Sequence, residues 1–165
     1  MKTVLAFAAG LLLAASVHAG DTPSDKSIAH GKFLVGYGNC HDCHTPGWGV
    51  HGGHAPKDVL LTGSGFNFQG PWGTTYPVNL RLYMQKLTLK QWIHTARTMK
   101  PRPPMPWWLF RYLSDEDLGG IYAYIRSLGP AGKEAHAWVP PGQPAPPPYL
   151  KLVVPRASPG AHAAH

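Results

Sequence analysis

The sequence predicts a small single domain of helices joined by long irregular loops, and three observations support this fold class. Apolar residues recur at helical spacing in three stretches, at 24–36, from Thr88 and from Ser114. Glycine and proline dominate from Thr45 to Pro77, where we expect a loop. If a predicted export signal is removed, 146 of the 165 residues remain, which is enough for one domain but not two.

The first helix is predicted from Ser24 to Gly36. Ser24 is a suitable N-cap, because its hydroxyl can accept a hydrogen bond from an amide of the first turn. Gly31 lies in the middle of this helix and weakens it by about 1 kcal/mol relative to alanine. Either another helix approaches closely at Gly31 or the glycine is merely tolerated, and the pattern alone leaves both readings open.

The second helix is predicted to begin at Thr88. Thr88 and Gln91 have the spacing of a capping box, in which each side chain bonds the backbone amide of the other residue. The helix has to end before Pro101, since proline lacks an amide donor and restricts the residue that precedes it. The proline-rich run 101–106 is therefore predicted to be irregular.

The third helix has the clearest start signal in the chain. Ser114 and Asp117 resemble a second capping box, and Leu113 and Leu118 occupy the two positions of a hydrophobic staple. The helix is predicted to end at Gly129-Pro130. Its buried stripe is predicted to comprise Leu118, Ile121, Tyr122, Ile125 and Leu128.

Residues 1–19 have the features of a cleavable secretory signal peptide. Lys2 provides the positive start, the apolar run from Val4 to Val17 is 14 residues long, and Val17 and Ala19 are small residues at the cleavage site. The run is too short to span a bilayer, and no other segment has the required length. We therefore expect a mature protein that begins at Gly20, has no membrane span and is located in the periplasm.

The charge of the chain bears on its partners. The formal net charge of +7 becomes +6 when Lys2 leaves with the signal peptide. A moderately basic surface can steer an acidic protein partner. A basic run with interleaved aromatic residues is typical of nucleic-acid binding, and the sequence has no such run. No nucleic-acid partner is therefore predicted.

Both cysteines of the chain lie in one motif, Cys40-His41-Asp42-Cys43-His44. Two thiols separated by two residues can each add to a haem vinyl group, which forms two thioether bonds. The histidine that follows is then held beneath the iron as an axial ligand. The motif therefore predicts one covalently attached haem c, bound through Cys40 and Cys43 with His44 on the iron.

Three other readings of the motif compete with haem attachment. A structural zinc site needs four ligands, and the motif supplies two cysteines before any of the ten histidines is recruited. A thioredoxin-like redox pair would require a βαβ context, and no strand pattern surrounds Cys40. A disulfide between Cys40 and Cys43 would close a very short loop and would constrain the unfolded chain little.

The motif, together with two later segments, resembles class I cytochrome c over roughly Ser27 to Leu128. The two segments are Met105-Pro106-Trp107-Trp108, and the final helix that contains Leu118-Gly119-Gly120-Ile121-Tyr122-Ala123-Tyr124-Ile125. The resemblance implies an all-α fold wrapped around one haem. In it the first and last helices cross at nearly right angles, with Gly31 against the 121–124 region. The pattern is similar to periplasmic single-haem cytochromes of bacteria. It implies a haem domain at 24–130 and a Pro/Ala-rich tail at 131–165.

Met105 is the predicted second axial ligand, so the predicted iron ligands are His44 and Met105. Met105 follows His44 by 61 residues, and the adjacent prolines stiffen the backbone that presents its sulfur. A thioether ligand favours ferrous iron and raises the reduction potential. Met99 is the main rival, although it is near a helix end, and His94 is a further candidate.

Other parts of the haem environment are predicted from the resemblance. A proline carbonyl usually accepts the hydrogen bond from the ring N–H of the ligating histidine, and Pro56 has a suitable spacing from His44. Asn79-Leu80 resembles the propionate-side segment of the family. Tryptophan N–H groups or Arg81 could donate hydrogen bonds to the propionates.

The predicted function is electron transfer without substrate chemistry, so no catalytic residues and no enzymatic activity are expected. The partners would be redox proteins, namely an unidentified dehydrogenase, reductase or oxidase. The first alternative is a cytochrome subunit of a dehydrogenase or oxidase complex, with the tail as a docking arm. The second is a ligand-binding or gas-sensing haem protein with an open iron position. A di-haem peroxidase is excluded, because the sequence contains one attachment motif.

Overall fold

The computed structural model describes residues 23–153. The predicted signal peptide at 1–19 and the tail from 154 onward lie outside the described residues. In chain order the elements are α1 (Asp25–Tyr37), α2 (Cys40–His44), β1 (Asn67–Gly70), β2 (Gly73–Thr75), α3 (Leu80–Gln85), α4 (Leu89–Thr98), a 3₁₀ helix (Trp107–Tyr112), α5 (Asp115–Ser127) and β3 (Tyr149–Lys151).

The first and last long helices, α1 and α5, pack against each other at two glycines. A Cβ atom on Gly31 would overlap the carbonyl group of Gly120 and would come within 2.9 Å of the Ile121 amide nitrogen. The close-approach reading of Gly31 is therefore confirmed, and the contact is centred at Gly120–Ile121, the start of the predicted region. Without side chains at Gly31 and Gly120, the two backbones can touch directly.

The core lies around this helix pair and extends to α3, α4 and the loop before β1. Leu118, Ile121 and Ile125 of the predicted stripe are buried, whereas Tyr122 and Leu128 are half-buried against them. The buried core cluster consists of Val35, Leu61, Met84, Trp92, Ala96, Leu118, Ile121, Tyr124 and Ile125. The indole of Trp92 donates a hydrogen bond to the Leu118 carbonyl (2.9 Å), which ties α4 to α5.

The predicted helix starts are confirmed by their hydrogen bonds. Ser24 accepts a bond from the Ser27 amide at the start of α1. Both halves of each capping box are formed, by Thr88 with Gln91 at α4 and by Ser114 with Asp117 at α5. The second helix ends at Thr98, before the proline run, as predicted.

Several short regular elements were not predicted: α2, α3, the 3₁₀ helix and a small sheet. The helix α3 lies between the predicted loop and the second predicted helix, and its N-cap Asn79 accepts a bond from the Leu82 amide. The expectation of an all-α fold is wrong in one respect, since a small sheet of order β2-β1-β3 is present beside the helices. Its strands are three or four residues long, too short to show an alternating apolar pattern.

The sheet includes a strand from the Pro-rich tail. β1 and β2 form an antiparallel hairpin, and β3 pairs with β1 in parallel. Before β3, the tail is bonded to the hairpin through an isolated bridge between Thr74 and Val139. The Tyr76 hydroxyl donates to the Pro146 carbonyl (3.2 Å). The described part of the tail, 131–153, is therefore joined to the β1–β2 hairpin and to Tyr76, which follows it.

Candidate functional site

The attachment motif forms the short helix α2, which is entered through Asn39 in the left-handed conformation (φ 54°). Cys40 and Cys43 are free thiols, and a separation of three residues places them on the same side of a helix. Burial raises the pKa of Cys40 to about 11 and also raises the pKa of Cys43. Both groups are therefore uncharged thiols at neutral pH, unlike the thiolate of a reactive redox pair.

His44 is buried, and its ring is oriented by one hydrogen bond. Nδ1–H donates to the Val78 carbonyl at 2.7 Å. Burial lowers the pKa of His44, and the bond to Val78 acts in the opposite direction. A neutral ring whose Nδ1 proton is fixed has its lone pair on Nε2, the atom that would coordinate a metal. The geometry of His44 thus fits an axial haem ligand.

The Val78 contact corrects the expectation for Pro56. The Pro56 carbonyl accepts a hydrogen bond from the Val59 amide (3.2 Å) rather than from His44. Val78 precedes α3, where the chain passes close to α2, and Pro56 is exposed in the loop. Sequence spacing could not reveal this acceptor, because any backbone carbonyl can serve and its position depends on the tertiary fold.

The loop after the motif is fixed to α2 by the Thr45 hydroxyl. This oxygen accepts a hydrogen bond from the Leu61 amide (2.8 Å) and shares another with His41 Nδ1 (2.8 Å). The His41 ring stacks on Trp48, with 4.2 Å between the ring centres. Burial lowers the pKa of His41. His41 within the motif and Thr45 directly after it therefore hold the glycine-rich loop in place.

Arg81 has a different role from the one considered for it. The side chain is buried, and it donates to the backbone carbonyls of Lys57, Asp58, Leu128 and Gly129. These bonds connect the loop before β1 to the end of α5. The guanidinium group is thus directed at main-chain oxygens, which leaves little donor capacity for a propionate.

Trp72 provides a further test of the fit to haem. Its indole Nε1 is the one buried side-chain nitrogen or oxygen in residues 23–153 that has no hydrogen-bond partner. A buried donor without a partner costs about 1–3 kcal/mol. An acceptor that is not part of the chain, such as a haem propionate, would remove this cost.

The candidate sixth ligands differ in their surroundings. Met105 is half-buried in the irregular segment before the 3₁₀ helix, and its carbonyl accepts a bond from the Trp107 amide (2.9 Å). Met99 is also half-buried and is the C-cap of α4. The side chain of Met84 is buried in the core. His94 is exposed on α4, as are His51 and His54 in the loop.

The zinc alternative finds no support in the described residues. Among residues 23–153, no three or more His, Cys, Asp or Glu side chains lie close enough together to hold a metal ion. A structural zinc site needs four such ligands. Within the same range, no helix has the length and hydrophobicity required to cross a membrane.

Comparison with protein-family models identifies the family to which the protein belongs. The cytochrome c family model matches residues 28–129, which is more than half of the chain, and the protein therefore belongs to the cytochrome c family. No curated protein and no solved structure matches the sequence. Family membership means covalently bound haem c, haem-based electron transfer and redox partner proteins. The pair Cys40 and Cys43, followed by His44, has the spacing of the haem attachment motif.

Proposed function

We propose that the protein is an exported class I cytochrome c with a single haem, which passes one electron at a time between redox partner proteins. Cys40 and Cys43 form the thioether bonds, and His44 and Met105 are the axial ligands. The main support for the proposal is the hydrogen bond from His44 Nδ1–H to the Val78 carbonyl. This bond leaves Nε2 free to coordinate the iron.

The haem supplies the one-electron chemistry, and the protein supplies orientation and environment. Val78 fixes the ring of His44, and Thr45 holds the loop that follows the motif. A thioether from Met105 would favour the ferrous state and raise the reduction potential. None of these roles needs a substrate pocket, so the proposed protein is a carrier and not an enzyme.

Met105 is proposed over Met99 because of its backbone context. Met99 ends α4, where its amide donates to the Thr95 carbonyl (2.8 Å) as part of the helix. Met105 belongs to a segment without helical hydrogen bonds, between Pro104 and Pro106, and can therefore present its sulfur independently of a helix. The exposure of His94 makes it a poor ligand for a buried iron.

The location in the periplasm is proposed from residues 1–19 alone. Their charged start, 14-residue apolar run and small cleavage-site residues are those of a cleavable signal peptide. Haem attachment requires two reduced thiols. Neither Cys40 nor Cys43 forms a disulfide in the structure, so both thiols are free for this reaction.

The proposal is tested by acid–acetone extraction of the denatured mature holoprotein, followed by a pyridine haemochrome spectrum. All haem should remain with the polypeptide. Cys40→Ala and Cys43→Ala together should release the haem and leave largely unfolded chain, as judged by far-ultraviolet circular dichroism, because the small core needs the cofactor. Each single variant should retain haem through one thioether and shift the haemochrome band. Full extraction of haem from the wild-type protein would refute the proposal.

A further inference from the structure

The described tail, 131–153, follows the part of the chain that the cytochrome c family model matches, which ends at residue 129. It is nevertheless bonded to the β1–β2 hairpin through its backbone at two places. The amides of Thr74 and Val139 each donate to the carbonyl of the other residue, at 2.8 and 3.0 Å. Further along the tail, the Leu152 amide donates to the Gln69 carbonyl (2.7 Å). The tail is therefore an addition to the family domain that has its own place in this fold.

Gly73 is the point at which the hairpin fits the tail most closely. A Cβ atom on Gly73 would overlap the Val139 carbonyl oxygen and would lie 2.9 Å from Nε1 of Trp138. Gly73 also has a positive φ of 95°, which favours glycine. The indole of Trp138 donates a hydrogen bond to the Trp72 carbonyl (2.8 Å). The hairpin turn thus holds Trp138 in a defined position.

The stretch of chain just before Met105 has few contacts of its own. The helix α4 ends at Thr98, and residues 102–104 are exposed. Among residues 23–153, two hydrogen-bonding or ring contacts reach residues 100–104 from other segments. The Thr75 hydroxyl donates to the Pro103 carbonyl (2.9 Å), and the Arg102 guanidinium lies over the Trp138 ring at 3.7 Å.

Both contacts come from the hairpin and the tail. Arg102 is three residues before Met105, and the two residues between them are prolines, whose φ angles are restricted. A contact that fixes Arg102 therefore also limits the movement of Met105. A group that is held near its bound position loses less conformational entropy when it binds.

We propose that the tail 131–153 is a strap in which Trp138 is a positioning residue for Met105. Trp138 is held by the Trp72 carbonyl and in turn holds Arg102, so the strap keeps the Met105 segment closed. This inference rests on the proposed function, because it takes Met105 as the sixth iron ligand.

The strap can be measured by competition for the iron. Imidazole can bind the ferric iron only after the Met105 sulfur has left it, so its apparent affinity increases with the population of the open segment. Loss of the contact between Trp138 and Arg102 should raise this population. Imidazole should then bind more tightly, although the intrinsic affinity of the iron for imidazole is unchanged.

The experiment titrates the oxidised holoprotein with imidazole and follows the absorption spectrum. The test variant is Trp138→Ala and the matched control is Tyr149→Ala, since both aromatic side chains are in the tail and are similarly exposed, at 37% and 38%. The backbone pairing of β3 with β1 does not require the Tyr149 side chain. Imidazole should bind Trp138→Ala about tenfold more tightly than the wild type, and Tyr149→Ala within about twofold of it. Equal affinities for the two variants would overturn the strap.

Arg102 provides a second test, which also serves if Trp138→Ala does not fold. Arg102→Ala removes one exposed side chain and should tighten imidazole binding about threefold or more. Arg102→Lys keeps a cation for the ring and should recover most of the wild-type affinity. Adding Arg102→Ala to Trp138→Ala should have little further effect, because the contact is already lost. Fully multiplicative effects would overturn the contact as the means by which the strap acts.

Removal of the proposed ligand separates the strap from a general opening of the haem pocket. In a Met105→Ala background no sulfur has to leave the iron, so Trp138→Ala should change imidazole affinity by less than about twofold. The same tightening in both backgrounds would overturn the role of Trp138 in positioning Met105. The failure of the proposed function looks different: a sulfur–iron band that is absent from the wild type, or that persists in Met105→Ala, would contradict the ligand assignment itself.

Discussion

The packed helix pair α1 and α5 and the segment 99–113 are both fixed parts of the molecule, but they are fixed by different kinds of interaction. The helix pair is joined by direct backbone contact at Gly31 and Gly120 and by buried apolar side chains. In the segment 99–113, Phe110 and Leu113 pack against the core, and further contacts come from Arg97, Thr75 and Trp138. This difference separates a rigid frame from a segment that is held by a few packing contacts, hydrogen bonds and one stacking contact. We expect mutations in the frame to change global stability and mutations at the tethers to act locally.

The largest effect on the frame is expected from Gly31→Leu. A side chain at this position would overlap the Gly120 backbone, which cannot move without separating the helices. The free energy of unfolding, measured with guanidinium chloride, should fall by about 3 kcal/mol or more.

The same helix offers a control for this substitution. A Cβ atom on Gly36 would meet nothing within 4 Å. Gly36→Ala should therefore be neutral or stabilising by up to about 1 kcal/mol, whereas Gly31→Ala should destabilise. If Gly31→Ala proved as well tolerated as Gly36→Ala, the direct contact between α1 and α5 would have to be abandoned.

A smaller and local effect is expected when the tether from the tail is cut. Trp138→Ala removes the bond from the indole to the Trp72 carbonyl (2.8 Å) and the ring beneath Arg102. The expected cost is about 1–2 kcal/mol. Amide hydrogen exchange should accelerate at Thr74 and Val139, whose amides each donate to the carbonyl of the other, while the amides of α1 and α5 remain protected.

Trp138→Phe separates the two contributions. Phenylalanine keeps an aromatic face for Arg102 but lacks the N–H donor, so it should lose only part of the protection. Acceleration throughout α5 after either substitution would contradict the distinction between a frame and a tethered loop.

The smallest expected effect concerns a hydrogen-bonded pair of side chains on the frame, His30 and Asp117. The bond from His30 (2.7 Å), together with the bonds from Ser114, lowers the pKa of Asp117 to about 2. Because the folded-state pKa is below the ordinary value, Asp117 stabilises the fold at pH above about 4. This contribution is lost as the pH falls toward 2.

Stability should be measured across this pH range in the wild type and in Asp117→Asn. The variant should be less stable above pH 4, and its stability should depend less on pH between 4 and 2. Glu116→Gln, at the adjacent exposed position, should leave the wild-type profile almost unchanged. Parallel profiles for wild type and Asp117→Asn would mean that the carboxylate of Asp117 does not stabilise the fold.

The frame could be predicted from the sequence because its signals are local. Ser24, Thr88 and Ser114 each mark a helix start within three residues, and Gly31 interrupts an otherwise apolar pattern. The attachment motif is equally local, since its five residues are contiguous.

The features that the sequence did not predict depend on distant parts of the chain. Val78 reaches His44 across 34 residues through a backbone carbonyl, which has no side-chain signature. β3 comes from a Pro-rich segment and pairs with β1 across a separation of about 80 residues, and neither strand is long enough to be recognised alone. The helix α3 spans only six residues, too few for a clear helical periodicity.

The central claim, that His44 and Met105 ligate the iron, is tested most directly by the oxidised absorption spectra of Met105→Ala and Met99→Ala. Met105→Ala should lose the sulfur–iron charge-transfer band, have a lower reduction potential and allow carbon monoxide to bind the ferrous iron readily. Met99→Ala should retain the band, because it loses only a half-buried packing side chain. Loss of the band in Met99→Ala with its retention in Met105→Ala would contradict the ligand assignment. Absence of the band from the wild-type protein would contradict His/Met ligation altogether.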